Sequence, residues 1–512
     1  MSRRDALSVA GGAAFASVAP SISRAQTPAP AGELGDGSPF SADALMDFAR
    51  ALAKKPYAPP PNDLPEGWAS LARDRYAAIR ANANSFLFQG EDRGVTIEPL
   101  HRGFVFTRPV QLNVIEDGKV RRVIYDPATF DFGRTPPPPA GVDLAFSGIR
   151  IFGDAVNGQN REVAIFQGGT FFRAIARAQS YGVTARALAL RLADSRGGEE
   201  TPYFRSLWIE RPPIGGRTVN LYGLIDSDSA TGVYVATVRP GDVTIIDSQL
   251  TLFARAALDN VGVGVMSGMY LFGPNERRSQ DDIRPAVYEV SGLRMVRGND
   301  ENVWRPLSNP QTLQVSIFGD ENPRGFGLLQ RSREQIWFQD DDQRFERRPS
   351  LWVEPIGDWG QGAVQLVEIP SDAEVNKNIV AYWRPKAPMA VGAEATYAFR
   401  QFWWWWPPER TKLAIVTQTR TGKGPSGRRR RFVVDFSGDA LGDARATVEM
   451  SPVATASPGA ISNLRVLPYP ERKSCRVTFE LDPGSETMCE LRLLLEGGGQ
   501  PLTETWLYRW TA

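Results

Sequence analysis

The chain has 512 residues, of which 42% are hydrophobic and 10% aromatic, enough to build the cores of two or three domains. Its net charge of +1 excludes a general attraction to nucleic acid or to an anionic membrane. A single histidine, His101, excludes a multi-histidine metal centre and argues against the histidine acid–base chemistry of a sugar mutarotase; a structural role is expected for it.

Residues 1–25 read as a signal peptide. Ser2-Arg3-Arg4 is a twin-arginine pair, an apolar run follows from Ala6 to Ala19, and Ser23-Arg24-Ala25 is a small-x-small cleavage site. Export of a folded protein to the periplasm is the expectation. Residues 26–40, rich in Pro, Ala and Gly, read as a disordered leader. Ser41 is a candidate N-cap for a helix with Leu45, Met46, Phe48, Ala49 and Leu52 on its apolar face. After Pro59-Pro60-Pro61, a second helix is expected from Pro65 to Ala81, with Trp68, Leu71, Ala72, Tyr76 and Ile79 inward.

From Ser85 onward, short alternating segments separated by Gly, Pro, Asn and Asp predict strands, among them Thr218–Leu224, Gly232–Val238 and Asp242–Leu252. Val183–Ala193 fits a short helix or a strand. Arg384-Pro385-Lys386-Ala387-Pro388 reads as a linker. Beyond it, about seven or eight strands suit an immunoglobulin-like sandwich; they include Ala395–Gln401, Leu413–Thr419, Ala444–Met450 and Arg476–Leu481. The expected fold is mainly β: a large N-terminal β-sandwich over residues 41–384, a linker at 385–390, and a smaller C-terminal immunoglobulin-like sandwich over 391–512.

Three local features carry paired readings. Trp403–Trp406 is either an exposed carbohydrate platform or a run with alternate rings buried. Arg428–Arg431 is either a solvated loop tip or an anion site. Cys475 and Cys489 flank Asp482-Pro483-Gly484, so a hairpin would bring them close enough for a cross-strand disulfide; two buried thiols are the alternative.

The stretch from Gly357 to Trp383 holds the candidate chemistry. A strand is expected from Ala363 to Ile369, stopped by Pro370, which cannot donate to a ladder. The loop Ser371–Asn378 carries Asp372, Glu374 and Lys377, and Ile379–Trp383 is the next strand. Carboxylates beside Trp359, Tyr382 and Trp383 suit a sugar, whose hydroxyls they bond and whose ring the aromatics stack on. The plainer reading is a strand–loop–strand with a solvated tip.

Around this stretch stand SLWIERP (Ser206–Pro212), DSDSATGVY (Asp226–Tyr234), MYLFGPN (Met269–Asn275), VWRPLSNP (Val303–Pro310), ENPRGFGLLQR (Glu321–Arg331), RRPSLWVEP (Arg347–Pro355), VEIP (Val367–Pro370) and NIVAYW (Asn378–Trp383). Together, from about Phe48 to about Trp510, they resemble the periplasmic glucan biosynthesis protein family, the OpgG/OpgD (MdoG/MdoD) group. The resemblance implies the pair of sandwiches above and a role on a β-1,2-linked glucan backbone in the periplasm. No acidic cluster has the spacing of a dedicated calcium loop, so no metal is expected, nor any cofactor; a membrane glucosyltransferase is the protein partner expected from the resemblance. The resemblance also implies an inverting glycoside hydrolase or transglycosylase chemistry in some members, with an acid and a base on opposite sides of the bond.

Carried over by position, the family's acid falls on Lys377, its base on Glu289, and a family tyrosine on Phe345. Trp304, Arg305, Asp341 and Phe345 are expected substrate contacts in the same cleft, together with the rings Trp359, Tyr382 and Trp383. Glutamate at 289 keeps the carboxylate with one added methylene. Lysine at 377 does not keep an acid: a lysine ordinarily titrates near 10.4, and bringing one to about 7 costs about 4.6 kcal/mol. Three readings follow. Another carboxyl acts, from Asp372, Glu374 or the run Asp340-Asp341-Asp342; or the chain binds glucan without cutting it; or Lys377 meets an anionic group on a substituted glucan.

Overall fold

The computed structural model describes residues 34–512 except 62, 140, 157–158, 195–196, 277–280, 407–410 and 443–449. The expected signal peptide, residues 26–33 of the leader and most of the strand expected at Ala444–Met450 lie outside them. The fold is mainly β, and it divides into two units. The first contains the described residues up to Met266, with Val353–Ala363 and Tyr382–Trp404; the second contains Ser267–Trp352, Val364–Ala381 and Trp405–Ala512.

In the first unit, helix α1 (Ala42–Ala53) starts where Ser41 Oγ accepts the Ala44 N–H at 3.0 Å. Its apolar stripe, Leu45, Ala49 and Leu52, packs with Trp208, Leu224, Val233 and Phe253 on one face of a sheet. That sheet runs Lys119–Arg122, Gln111–Glu116, Tyr203–Glu210, Val219–Asp226, Ala230–Arg239, Thr244–Ala254 and Glu394–Trp404. Only the pairing of Gln111–Glu116 with Tyr203–Glu210 is parallel. A further antiparallel run is formed by Val95–Leu100, Gly148–Val156, Gln159–Gln167, Phe171–Ala174 and Thr184–Arg186.

Two expectations are corrected here, and one open reading is decided. The second helix covers only Arg73–Ala78, and Arg80–Ala81 is a strand. Gly67 sits at φ +82°, a left-handed conformation that breaks the expected first turn, and Ala72 supplies no side-chain cap. Val183–Ala193 resolves as two short strands, Thr184–Arg186 and Ala189–Leu190. The proline-rich segment after Arg384 does not separate the units. The chain stays in the first unit from Tyr382 to Trp404, and Glu394–Trp404 pairs along its length with Thr244–Ala254. Alternation identified that strand; it carried no information about the partner.

His101 belongs to this unit's core. Its ring stacks on Trp68 at 4.7 Å and meets Phe130 and Phe132 edge-on. Nδ1 lies 2.5 Å from the Arg102 carbonyl and Nε2 2.7 Å from the Tyr125 hydroxyl. Burial pushes its pKa down to about 4. The unfolded chain takes up this proton near pH 6.5 and the folded chain only near pH 4. Stability is therefore unaffected at pH 7 and falls as pH drops through that window, by up to about 3 kcal/mol. His101→Gln is expected to flatten the stability–pH profile between pH 6.5 and 4.5 whatever its own stability, as read by urea unfolding at stepped pH.

In the second unit, Gly292–Val296 lies between Asn302–Pro306 and Gly325–Leu329. Asn302–Pro306 pairs in parallel with Thr505–Thr511, which continues to Met488–Gly497 and Ser451–Ser457. A four-stranded sheet is formed by Ile415–Lys423, Arg430–Ser437, Ser474–Asp482 and Ala460–Tyr469. The two sheets face each other through Phe432 and Phe479, stacked at 5.1 Å and edge-on to Trp506. This is sandwich packing.

It also corrects the cysteine hairpin. Cys475 sits opposite Phe436 and Pro468 in the four-stranded sheet, and Cys489 opposite Trp510 in the other. The Asp-Pro-Gly turn between them is real, with Gly484 at φ +59°, but it carries the chain from one sheet to the other. Both thiols are free and buried. Burial pushes Cys475 up to about 11 and raises Cys489 as well, so neither is a ready thiolate.

Candidate functional site

All the groups that meet around the loop Ser371–Asn378 belong to the second unit. The strand Gln361–Glu368 ends one residue before the expected position, at Glu368. Two asparagines fix the path that follows. Asn309 Oδ1 accepts the Ser371 N–H at 2.9 Å while its Nδ2 donates to the Ser371 carbonyl at 2.7 Å. Asn378 Nδ2 donates to the carbonyls of Tyr270 (2.9 Å) and Ile369 (3.1 Å), and its Oδ1 accepts the Tyr270 N–H at 2.9 Å. Each amide uses both its donor and acceptor ends, so the loop is held at both ends.

On this loop Lys377 Nζ contacts Glu289 Oε2 directly. The two side chains are 8% and 4% exposed, so the ion pair is buried. Glu289 is held by its own backbone, whose N–H donates to the Met269 carbonyl at 2.9 Å. Beside the pair lies a second charge cluster. Arg284 Nη1 donates to Asp340 Oδ2 at 2.7 Å and to Glu374 Oε2 at 2.8 Å, and Nη2 donates to Asp282 Oδ2 at 2.7 Å. The carboxylates, Asp282 foremost, hold the guanidinium well above the ordinary arginine pKa. Arg284 thus ties three loops together, those of Asp282, Asp340 and Glu374.

Below the loop, Glu368 is fully buried and fully bonded. Its Oε2 accepts from Arg305 Nη2 at 3.0 Å, and its Oε1 accepts the Ser308 N–H at 2.7 Å and the Ser308 hydroxyl at 3.0 Å.

The structure treats the expected site residues unequally. Glu289 and Lys377 are brought together. Glu374 joins the Arg284 cluster, while Asp372 is exposed on the loop. Asp341 is exposed and accepts from Gln335 Nε2 at 3.3 Å. Arg305 is committed to Glu368, and Trp304 has a guanidinium, that of Arg331, 3.4 Å over its ring. Phe345 is buried against Phe338.

The proposed stacking rings do not survive as such. Tyr382 and Trp383 are 0% exposed, and Trp359 is core in the first unit, edge-on to Tyr397 and Phe399 with Nε1 donating to the Ala398 carbonyl. The strand Ile379–Pro385 is buried on both faces over its first five residues, so neither ring has a face for a sugar. Of the four-tryptophan run, Trp403 is buried and Trp404–Trp406 are half-buried. Arg428 and Arg429 make loop contacts, to the Gly484 and Glu486 carbonyls and to Asp482.

Sequence reading missed Arg284, Asn309, Asn378 and the use of Glu368. The last had a signal: a carboxylate among Val364, Leu366 and Val367 on an apolar strand requires a buried cation.

The family described as "Periplasmic glucan biosynthesis protein, MdoG" matches residues 40–510. The chain belongs to this family. It is 41% identical over 474 residues to a "Glucans biosynthesis protein G" of Rhodopseudomonas palustris, covering 92% of this chain and 93% of that one. It is 40% identical over 480 residues to the protein of the same name from a Shewanella species, covering 92% and 87%. Among solved structures, an α-galactosidase from Geobacillus stearothermophilus matches at TM-score 0.25 and 8% identity, over 50% of this chain and 39% of that one. Among the described residues of this MdoG-family chain, no helix is long and apolar enough to cross a membrane.

Proposed function

We propose that this chain is a periplasmic component of glucan biosynthesis that binds a β-1,2-linked glucan backbone without cleaving it. Family membership and the names of its relatives support the pathway, and the twin-arginine pair supports the compartment. A membrane glucosyltransferase is the protein partner this reading expects. The observation that carries the non-cleaving part is the buried Lys377–Glu289 ion pair. Inverting hydrolysis uses two carboxyl groups about 6.5–9.5 Å apart with a water between them. Here the two corresponding positions touch, and one of them is a cation.

The test is incubation with linear β-1,2-glucan while chain length and binding are followed together. Saturable binding with unchanged chains is expected. Shortened chains would favour a hydrolase or transglycosylase drawing its proton from Asp372, Glu374 or the Asp340–Asp342 run. Lys377→Asp extends the test. It restores a carboxyl at 377 on a shorter side chain, drawn back from Glu289 so that a water can enter between the two, and the nearby Glu289 charge keeps the new carboxyl protonated to higher pH. Slow chain shortening is expected in that variant alone, declining as pH rises and the proton is lost. Equal rates in wild type and variant would sink the assignment of position 377.

A further inference from the structure

A cavity of about 70 Å³ opens in the second unit, and its lining includes none of the charged residues described above except Arg331. Its aromatic wall contains Tyr288, Trp304 and Trp337, and its polar wall contains Ser332 and Gln418.

The state of these groups restricts the ligand. Arg331 is spent: it is 7% exposed, with Nη1 on Glu504 Oε1 at 2.6 Å and Nη2 on Oε2 at 3.0 Å. No unmatched charge on the wall remains to attract a phosphate or carboxylate. What is left is neutral. Ser332 Oγ accepts from the Tyr288 hydroxyl at 3.1 Å, leaving its own O–H to donate. The Gln418 amide makes no side-chain hydrogen bond to the described residues, so it offers donor and acceptor together. Trp337 is 39% exposed and makes no ring or cation contact among the described residues, so it keeps a face and an N–H. A free aromatic face beside neutral two-way hydrogen-bonding groups complements a ring that is apolar on its faces and hydroxylated at its rim.

We propose that this cavity is a saccharide subsite that takes one neutral pyranose unit, separate from the Lys377–Glu289 pair. The inference deepens the glucan-binding reading and rests on it for the identity of the sugar. Trp337 stacks on the ring and Gln418 bonds its hydroxyls.

The experiment is calorimetric titration of the full chain, its Trp337→Ala variant and its Gln418→Ala variant with linear β-1,2-glucan, and with a neutral glucan oligosaccharide of another linkage. Trp337 is exposed enough for its removal to spare the fold, which circular dichroism verifies. A tenfold or greater weakening in Trp337→Ala, and a smaller one in Gln418→Ala, is the expected result. Unchanged affinity in both variants overturns the subsite while leaving glucan binding intact. Binding only of the other linkage, lost in Trp337→Ala, keeps the subsite and overturns the glucan reading. No binding of either sugar by the wild type overturns both.

Discussion

Lys377→Met is expected to cost about 3–5 kcal/mol of stability in the unit that contains it. The substitution keeps the volume of the side chain and removes its charge, leaving Glu289, 4% exposed, without its cation. Glu289→Gln leaves the ammonium in the same position and should cost a comparable amount. The double variant Lys377→Met with Glu289→Met is expected to recover most of the loss. Two charges removed together take their desolvation penalty with them, and a hydrophobic pair of similar size often equals or exceeds a buried ion pair. Urea unfolding of the four proteins gives the coupling between the two positions directly. Additive losses would mean that the side chains do not act as a pair, and the case against cleavage would lose its basis.

Arg305→Met is expected to be as severe, at about 3–5 kcal/mol. Glu368 is 0% exposed and would keep only the two neutral donors of Ser308. A charged carboxylate in that fully buried position needs the guanidinium. The consequence extends to the neighbouring loop. Ser308 precedes Asn309, whose amide holds Ser371 by two hydrogen bonds. Loosening the first is expected to loosen the second, so amide exchange at Ser371 should quicken in Arg305→Met beyond what global unfolding explains. Faster exchange confined to other segments would show that the buried triad does not support the loop. Arg305→Lys tests the geometry: it restores the charge facing Glu368 but not the Nη1 donor that bonds the Pro306 carbonyl, and is expected to recover only part of the loss.

Much of this was readable from residues alone where a local rule governs. Ser41 caps a helix because its hydroxyl reaches an amide three residues on, and that requires nothing distant. The strand ending near Pro370 follows from alternation and from the missing donor of proline. Positions 289 and 377 could be paired only because long segments resembled a family; their spacing of 88 residues contains no such information. The failures share a cause. Tyr382 and Trp383 looked available because aromatic side chains at a strand end beside a polar loop often are, yet burial is decided by what packs on each face. Glu394–Trp404 was correctly a strand and was assigned to the wrong sheet, since period-two patterning does not name a neighbour. The cysteines failed for the same reason: a tight turn can join two strands of one sheet or two opposed sheets.

That last arrangement has a consequence for biogenesis. With Cys475 and Cys489 apart and unbonded, no oxidant is needed to complete the sandwich. The protein can reach its final shape under reducing conditions as readily as under oxidising ones, and a reducing agent should leave its melting point where it was.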